Sequence, residues 1–563
     1  MTILELLRKE AADGRRRILV SAGLAGGANA LVLGFANLAA ENPGDSAVRS
    51  FVMFVLAVAI YGYGARYTYN RLAEIVQNAL LRIKIRIVDR VERAELEQLE
   101  RIGVGEINDR ITENMTIISD SSGLLANLLQ SVCILLFATL YLVSLSAPAF
   151  VMMVFVLGTG MTVYMSMHRE VREHLMRAAQ KRLVFFETLM DLLGGFKEVK
   201  FSRRRGSDLR KEIVETGEAL RDSTLKAAYM FNDHWIFANI LLFALIGALV
   251  FVLPAHAEVD ASTVKSLVAA GMFIWGPVGG VVGGFPAYVR CNVALGQIET
   301  LEAKLASAIQ DTAPGQEPVD PWKGAIQAIQ AEDIEYEYPT EKGNGNGGSF
   351  RIGPMSLSVS AGEVLFIVGG NGSGKSTFLK VLTGLYPPTR GRLSADGIPV
   401  RGKNVAVYRE QISAIFSDFH LFAKLYGLLG TDEAEVQPLL VQMQLEDKTA
   451  FKADRFTRRN LSTGQKKRLA MIVALLEDRP IYVFDEWPAD QDPEFRKYFY
   501  EELLPELQKK GKTVIAVSHD DRYFHCADRV VKLADGKILS IEAGAALKGR
   551  TKVGGDADEG ASS

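Results

Sequence analysis

Residues 369–377 read Gly-Gly-Asn-Gly-Ser-Gly-Lys-Ser-Thr and directly follow the apolar run Val-Leu-Phe-Ile-Val at 364–368. No other stretch narrows the possible folds as much. The spacing Gly-x-x-x-x-Gly-Lys-Ser/Thr is met by Gly369, Gly374, Lys375 and Ser376, and its expected context is strand, glycine loop, helix. Glycines let backbone N–H groups curl around a polyphosphate without a clash from Cβ, and the helix that follows points its positive end at the anion. Gly369, Asn371, Gly372, Ser373, Gly374 and Thr377 are therefore candidate phosphate contacts. Lys375 is placed to reach the outer phosphates, and the Ser376 hydroxyl to meet a magnesium ion. A plain flexible glycine turn needs neither the Lys-Ser pair nor the buried strand before it. The stretch predicts a nucleoside triphosphate site.

The remaining chain is far larger than that site requires. At 563 residues it exceeds one ordinary domain, and its balance of 64 basic against 66 acidic residues argues against a nucleic-acid partner. Apolar stretches near the length of a bilayer-spanning helix fall at 18–40, 50–69, 123–145, 149–167, 235–253 and 264–288, the last interrupted by glycines and Pro277. Six spans are expected, with a lipid bilayer as partner. The first follows Arg15, Arg16 and Arg17, but it is too long for a cleaved signal segment and more spans follow it. Cys133, Cys291 and Cys526 are few and far apart, which reads as buried thiols rather than a disulfide framework or a metal site.

Charge sets the orientation. The short connections at 41–48, 146–148 and 254–263 carry no Lys or Arg, whereas the N-terminus and the long connections at 71–122 and 168–234 are rich in both. Both ends and the long connections are then cytoplasmic. Within 72–99 the apolar residues keep a three-four spacing, so the second span is expected to continue as a helix to about residue 100, roughly 75 Å in all at 1.5 Å per residue. The segment 168–201 has the same character, with Gly103 and Gly105, and Gly194 and Gly195, marking bends. The expected domains are a membrane part at 1–310, a proline-containing linker at 311–321, a soluble α/β part at 322–547 and a disordered tail at 548–563. The glycine-rich stretch 343–349 lacks a Lys-Ser pair and reads as a surface loop.

Three further motifs lie beyond the phosphate loop. The apolar strand 481–484 ends in Asp485 and Glu486, a metal-holding carboxylate followed by one suited to orient or deprotonate the attacking water. Residues 461–465, Leu-Ser-Thr-Gly-Gln, open a basic helix and place Ser462, Thr463, Gly464 and Gln465 at a second anion-binding helix end. If the two loops lie at opposite ends of the domain, one phosphate cannot occupy both, and a second chain must bring the other loop. His519 follows the apolar run 513–518.

Together these motifs resemble the ABC ATPase domain, and six spans with long helical cytoplasmic extensions ahead of it resemble an ABC exporter half-transporter that works as a homodimer. Residues 484–496 (Phe-Asp-Glu-Trp-Pro-Ala-Asp-Gln-Asp-Pro-Glu-Phe-Arg), with 416–422 (Phe-Ser-Asp-Phe-His-Leu-Phe), are similar to the cyclic-peptide exporter group, which includes syringomycin, pyoverdine-precursor and microcin exporters. The resemblance implies ATP and Mg2+ as ligands, Lys375, Glu486 and His519 as catalytic residues, and Tyr338 as the aromatic that stacks on adenine, with Tyr336 the neighbour it is confused with. It also puts Asp492 at the dimer seam, and Ser376 and Asp485 on the metal. Where most members carry a metal-binding glutamine, this chain has Ser417 followed by Asp418, and either is a candidate. Trp487 and Pro488 after the catalytic carboxylate have no evident purpose in the sequence. The implied function is ATP-driven export of a cyclic, lasso or siderophore-like peptide across the bacterial inner membrane by alternating access. The alternatives are a lipid or drug floppase, or a membrane-anchored regulatory ATPase that moves nothing.

Polar residues inside the spans, Asn29, Asn37, Asn127, Gln130 and Asn239 with Tyr61, Tyr63, Tyr67 and Tyr69, are candidates for lining a path. Helix-to-helix hydrogen bonds and interfacial anchoring explain each one equally well.

Overall fold

The computed structural model describes residues 2–10, 15–41, 47–257, 259–309, 320–338 and 350–547. Nearly all of the expected linker, the glycine-rich stretch 343–349 and the tail from 548 lie outside the described residues. The chain divides into two compact units, one of Met1–Arg93 with Ile102–Ser307, the other of Ala94–Arg101 with Ala308–Ser563.

The first unit is all helical. Five of its helices among the described residues are long and apolar enough to cross a membrane: Arg16–Ala39, Val48–Arg93, Val104–Leu145, Arg203–His256 and Ala261–Ser307. A shorter apolar segment, Ala147–Gly160, begins the 48-residue helix Ala147–Gly194. Phe51, Val55, Leu56 and Ile60 stand exposed along the second long helix. A soluble protein would bury such a row, and hydrocarbon does not require it to. Where helices meet, small residues let backbones approach: a Cβ at Gly284 would lie 2.9 Å from that of Leu128, and one at Gly64 3.1 Å from that of Ala25. Cys133, Cys291 and Cys526 are all free, Cys291 fully buried.

Four of the polar span residues, Asn37, Tyr69, Asn127 and Asn239, are engaged with neighbouring helices or their own. Tyr69 donates its hydroxyl proton to Asn127 at 3.2 Å, Asn37 donates to Tyr141 at 3.0 Å, and Asn239 donates to the Trp235 carbonyl at 2.6 Å. Gln130 is 3% exposed, and its Oε1 has no hydrogen-bond partner among the described residues.

The expected continuous helix to residue 100 is shorter than the periodicity suggested. It ends at Arg93, a separate turn Leu96–Ile102 follows, and Gly103 then takes φ 82°, a left-handed value that releases the chain in a new direction. The apolar spacing carried across the break because Leu96 does meet a core, that of the second unit.

Besides a two-stranded ribbon of β7 (Phe451–Lys452) and β8 (Arg455–Phe456), the second unit contains a six-stranded sheet. Its strands are β3 (Val364–Gly369), β6 (Ile412–Ile415), β9 (Ile481–Asp485), β10 (Thr513–Val517), β11 (Arg529–Ala534) and β12 (Lys537–Ala543), in the order β12-β11-β3-β10-β9-β6. All pairings are parallel except β11 with β12. Helices cover both faces, which explains why β3, β9 and β10 read as uninterrupted apolar runs. Val364, Phe366 and Val368 enter one core, while Leu365 and Ile367 enter the other. A smaller antiparallel sheet of order β2-β1-β4-β5 flanks it: β1 (Ala328–Glu337), β2 (Arg351–Ser360), β4 (Arg390–Ala395) and β5 (Ile398–Pro399).

Candidate functional site

In a parallel sheet the loops that leave the carboxyl ends of the strands share one edge, so residues distant in sequence meet there. The phosphate loop leaves β3, Asp485 closes β9, and Ser518 and His519 follow β10. Because β3 pairs with β10 and β10 with β9, those three ends are adjacent.

The phosphate loop runs straight into the helix Lys375–Leu382. Gly374 takes φ 92°, and a Cβ there would come within 2.6 Å of the Ile352 side chain, so the turn into the helix admits no larger residue. Lys375 is 6% exposed and donates from its ammonium to the carbonyls of Gly369 at 3.1 Å and Gly370 at 2.9 Å. It is thereby held across the mouth of the loop. Ser376 donates its hydroxyl proton to Asp485 Oδ1 at 3.3 Å, which brings the two expected magnesium contacts together.

Asp485 is 2% exposed. Burial pushes its carboxyl above the usual range, and the Glu486 and Asp418 carboxylates push the same way, against the Ser376 hydroxyl and the Lys375 ammonium. A buried carboxylate with a serine hydroxyl beside it offers hard oxygen donors that suit Mg2+, which is held by one or two carboxylates plus phosphate oxygens. No group of three or more His, Cys, Asp or Glu that could hold a metal occurs among the described residues. Both residues in the glutamine position are exposed; Asp418 acts electrostatically on Asp485, whereas Ser417 makes no side-chain hydrogen bond among the described residues.

Glu486 and His519 meet. His519 Nε2 lies 2.8 Å from Glu486 Oε1. Glu486 also adopts φ 51° and ψ 33°, a left-handed backbone that costs a residue with a side chain on the order of 1–2 kcal/mol. Behind His519, the Ser518 hydroxyl lies 2.7 Å from that of Tyr500, whose phenol burial pushes up to about 12. The Arg522 guanidinium donates to Asp520 at 2.8 Å and holds that carboxyl below the usual carboxylate range, fixing the turn after the histidine.

The two candidate tyrosines separate. Tyr336 is 2% exposed and stacks on Tyr386 with ring centroids 4.9 Å apart, as a core residue does. Tyr338 is half-buried, with its hydroxyl 3.1 Å from that of Thr377 at the phosphate-loop helix. A period-two pattern puts both on one strand face and cannot distinguish them.

Ser462, Thr463, Gly464 and Gln465 form the other anion-binding end. Ser462 caps the signature helix Thr463–Glu477 in a reciprocal box, accepting from the Gln465 N–H at 3.3 Å while its own N–H donates to Gln465 Oε1 at 3.2 Å. Gly464 is required by close approach, since a Cβ there would fall 2.6 Å from the Asp490 carbonyl. Among the described residues no hydrogen bond joins this end to the phosphate loop. Asp492 caps the helix Pro493–Tyr498, accepting from the Phe495 N–H at 2.8 Å, and pairs with Arg468.

Two groups escaped the sequence reading. The turn at residues 94–101 packs within the second unit: Glu95 pairs with Arg409 at 2.9 Å, Glu100 pairs with Lys380 at 2.9 Å, and Glu100 also accepts from the Tyr386 hydroxyl. Partners some 280–314 residues apart leave no local signal. The second group is Lys467, Arg468 and Trp487. Trp487, without evident purpose in the sequence, is fully buried and donates its indole N–H to the Lys467 carbonyl at 2.9 Å.

With this geometry in place, comparison with known proteins is specific. The ABC transporter family model matches residues 352–489. The ATP-binding protein SyrD of Pseudomonas syringae pv. syringae is 33% identical over 477 residues, 82% of this chain and 82% of that protein. The ATP-dependent lipid A-core flippase of Burkholderia orbicola (strain AU 1054) is 24% identical over 515 residues, 88% of this chain and 84% of the flippase. A bacterial Atm1-family ABC exporter solved with ATP bound shares the fold, with a TM-score of 0.74 at 18% identity, over 95% of this chain and 96% of that one. A nucleotide-site architecture, long apolar helices and a relative matched over 82% of both chains agree: the chain belongs to the ABC transporter family, as an exporter half-transporter that hydrolyses ATP.

Proposed function

We propose that two copies of this chain form an exporter that uses ATP to move a peptide, cyclic, lasso or siderophore-like, from the cytoplasm across a bacterial inner membrane. The observation that carries the ATPase part is the joining of Glu486 to His519 at 2.8 Å beside the Ser376–Asp485 pair. The segment Ala147–Gly160 serves as the sixth span in this reading. Peptide cargo is supported by the resemblance of residues 484–496 and 416–422 to the cyclic-peptide exporter group. The likeness to a lipid A-core flippase favours a second reading, in which the cargo is a lipid.

Each residue has a separable task. Lys375 exchanges its two loop carbonyls for the outer phosphates, with the loop amides and the helix Lys375–Leu382 holding the anion. Tyr338 stacks on the base. Ser376 and Asp485, with Asp418 in preference to Ser417, hold Mg2+, which supplies neutralisation of phosphate charge when bound. Glu486 takes a proton from the attacking water, and His519 fixes the orientation of that carboxylate at the outer phosphate. Ser462, Thr463, Gly464 and Gln465 close over the nucleotide of the other copy, and Asp492 lies at the seam between copies. Closure draws the helical extensions together, and hydrolysis releases them.

Transport into inverted vesicles tests this reading, with cyclic, lasso and linear peptides compared against labelled lipid. ATP-dependent accumulation of a peptide, abolished in Glu486→Gln, is the expected result. Lipid movement with no peptide accumulation replaces it with the second reading.

A further inference from the structure

We propose that Lys467 is a positioning residue for Glu486, acting through the backbone turn that carries it, with Trp487 completing the same clamp. The inference rests on Glu486 being the carboxylate that activates water.

Lys467 lies in the signature helix and is 4% exposed, although it carries an ammonium group. A buried ammonium must be met by acceptors. Its Nζ donates to the Glu486 carbonyl at 2.8 Å and pairs with Asp490 at 2.7 Å. Its own backbone carbonyl accepts the Trp487 indole N–H at 2.9 Å. One residue therefore grips positions 486, 487 and 490 with both ends of its structure. The indole cannot slide, because it stacks on Phe499 with centroids 4.8 Å apart and is fully buried. Nearby, Arg468 lies 3.7 Å over the Phe495 ring and donates to Gln491 at 2.8 Å, and Gln491 donates to the Gly464 carbonyl at 3.1 Å. The first turns of the signature helix and residues 486–495 thus form one stitched piece.

The backbone at Glu486 explains the need for such a grip. A non-glycine residue at φ 51° persists only where its surroundings over-determine it. The carboxylate reaches His519 from that conformation, and relaxation of the turn would swing the Cα–Cβ bond away from the histidine. Water activation tolerates little misplacement of the base. The phosphate loop is held by other contacts, those of Lys375 and Gly374, so loosening the clamp should impair turnover and spare nucleotide affinity. A lysine that merely stabilised the fold would not divide the two in this way.

The test is steady-state hydrolysis by the full-length chain in nanodiscs, with an ATP-binding titration, for Lys467→Met, Trp487→Phe and Glu486→Gln. Lys467→Met should lower kcat about 10-fold or more while KM and binding stay within about twofold, and Trp487→Phe, which keeps the ring and loses the N–H, should give a smaller loss of the same kind. In single turnover, adding Lys467→Met to Glu486→Gln should cause no further loss, because the group being positioned is gone. Normal kcat in Lys467→Met, a matching rise in KM, or an additive loss in the double variant overturns the clamp. If Glu486→Gln itself turns over normally, the failure lies in the assignment of Glu486. If Glu486→Gln is inactive and Lys467→Met is normal, only the clamp falls.

Discussion

The two anion-binding loops of the ATPase unit are finished to different degrees. Around the phosphate loop, side chains from three neighbouring strand ends converge: Lys375 is bonded to its own loop, Ser376 to Asp485, and Glu486 to His519. The serine-glycine end at Ser462 is equally well built, with a reciprocal cap and a close-packed Gly464, yet residues 462–465 make no hydrogen bond to the phosphate loop among the described residues. Its firmest ties run to residues 486–495 instead. On the proposed reading, one loop is organised for chemistry within the chain, while the other is a rigid presenting surface for the nucleotide of a second copy.

The comparison can be broken first at its chemical end. Glu486→Gln should cut ATP turnover by about 100-fold or more with binding intact, as expected when a general base is removed. Normal steady-state turnover would remove the organising residue of the phosphate-loop side. Lys375→Ala should weaken ATP binding itself by about tenfold or more, since a charge-assisted contact to phosphate is lost. A nucleotide titration that shows unchanged affinity would mean the loop carbonyls are its true role.

Smaller effects sharpen the same side. Asp418→Ala should raise the magnesium needed for half-maximal hydrolysis about threefold or more, and Ser417→Ala should leave it unchanged, as outer ligands tune metal affinity without setting it alone. The reverse order would move the metal contact to the serine. The smallest effect concerns the turn after His519. Asp520 has a folded pKa below its unfolded value, so its ion pair adds stability that is complete above the ordinary carboxylate value of 3.8 and is lost as pH falls through the lowered folded value. Asp520→Asn should therefore lower the melting temperature at pH 7 by a few degrees, corresponding to about 1 kcal/mol, and the gap should close in strong acid. A gap that persists at low pH would assign it to packing.

The sequence disclosed the phosphate loop, the Asp485–Glu486 pair and His519 because each sits at the end of a buried parallel strand, where apolar run and polar terminus are adjacent in the chain. Periodicity alone did not separate Tyr336 from Tyr338; the choice of Tyr338 rested on the family resemblance. Trp487 stayed unexplained until its partner, Lys467, was seen 20 residues away. The docking of Glu95 and Glu100 within the ATPase unit was hidden for the same reason, and the helical period across Arg93 concealed the break that allows it. In the spans, Asn37 bonds to a neighbouring helix and Asn239 to its own, contacts that composition does not disclose.

The most direct test of the central claim, that each phosphate loop is closed by the serine-glycine end of a second copy, uses two differently tagged variants. Lys375→Ala and Ser462→Arg chains are each purified alone and then as a mixed pair, and ATP hydrolysis is measured. Each variant alone should be inactive, and the mixed pair should regain hydrolysis, because one site then combines an intact phosphate loop with an intact Ser462. Wild-type turnover by Ser462→Arg alone, or no recovery in the mixed pair, would contradict it.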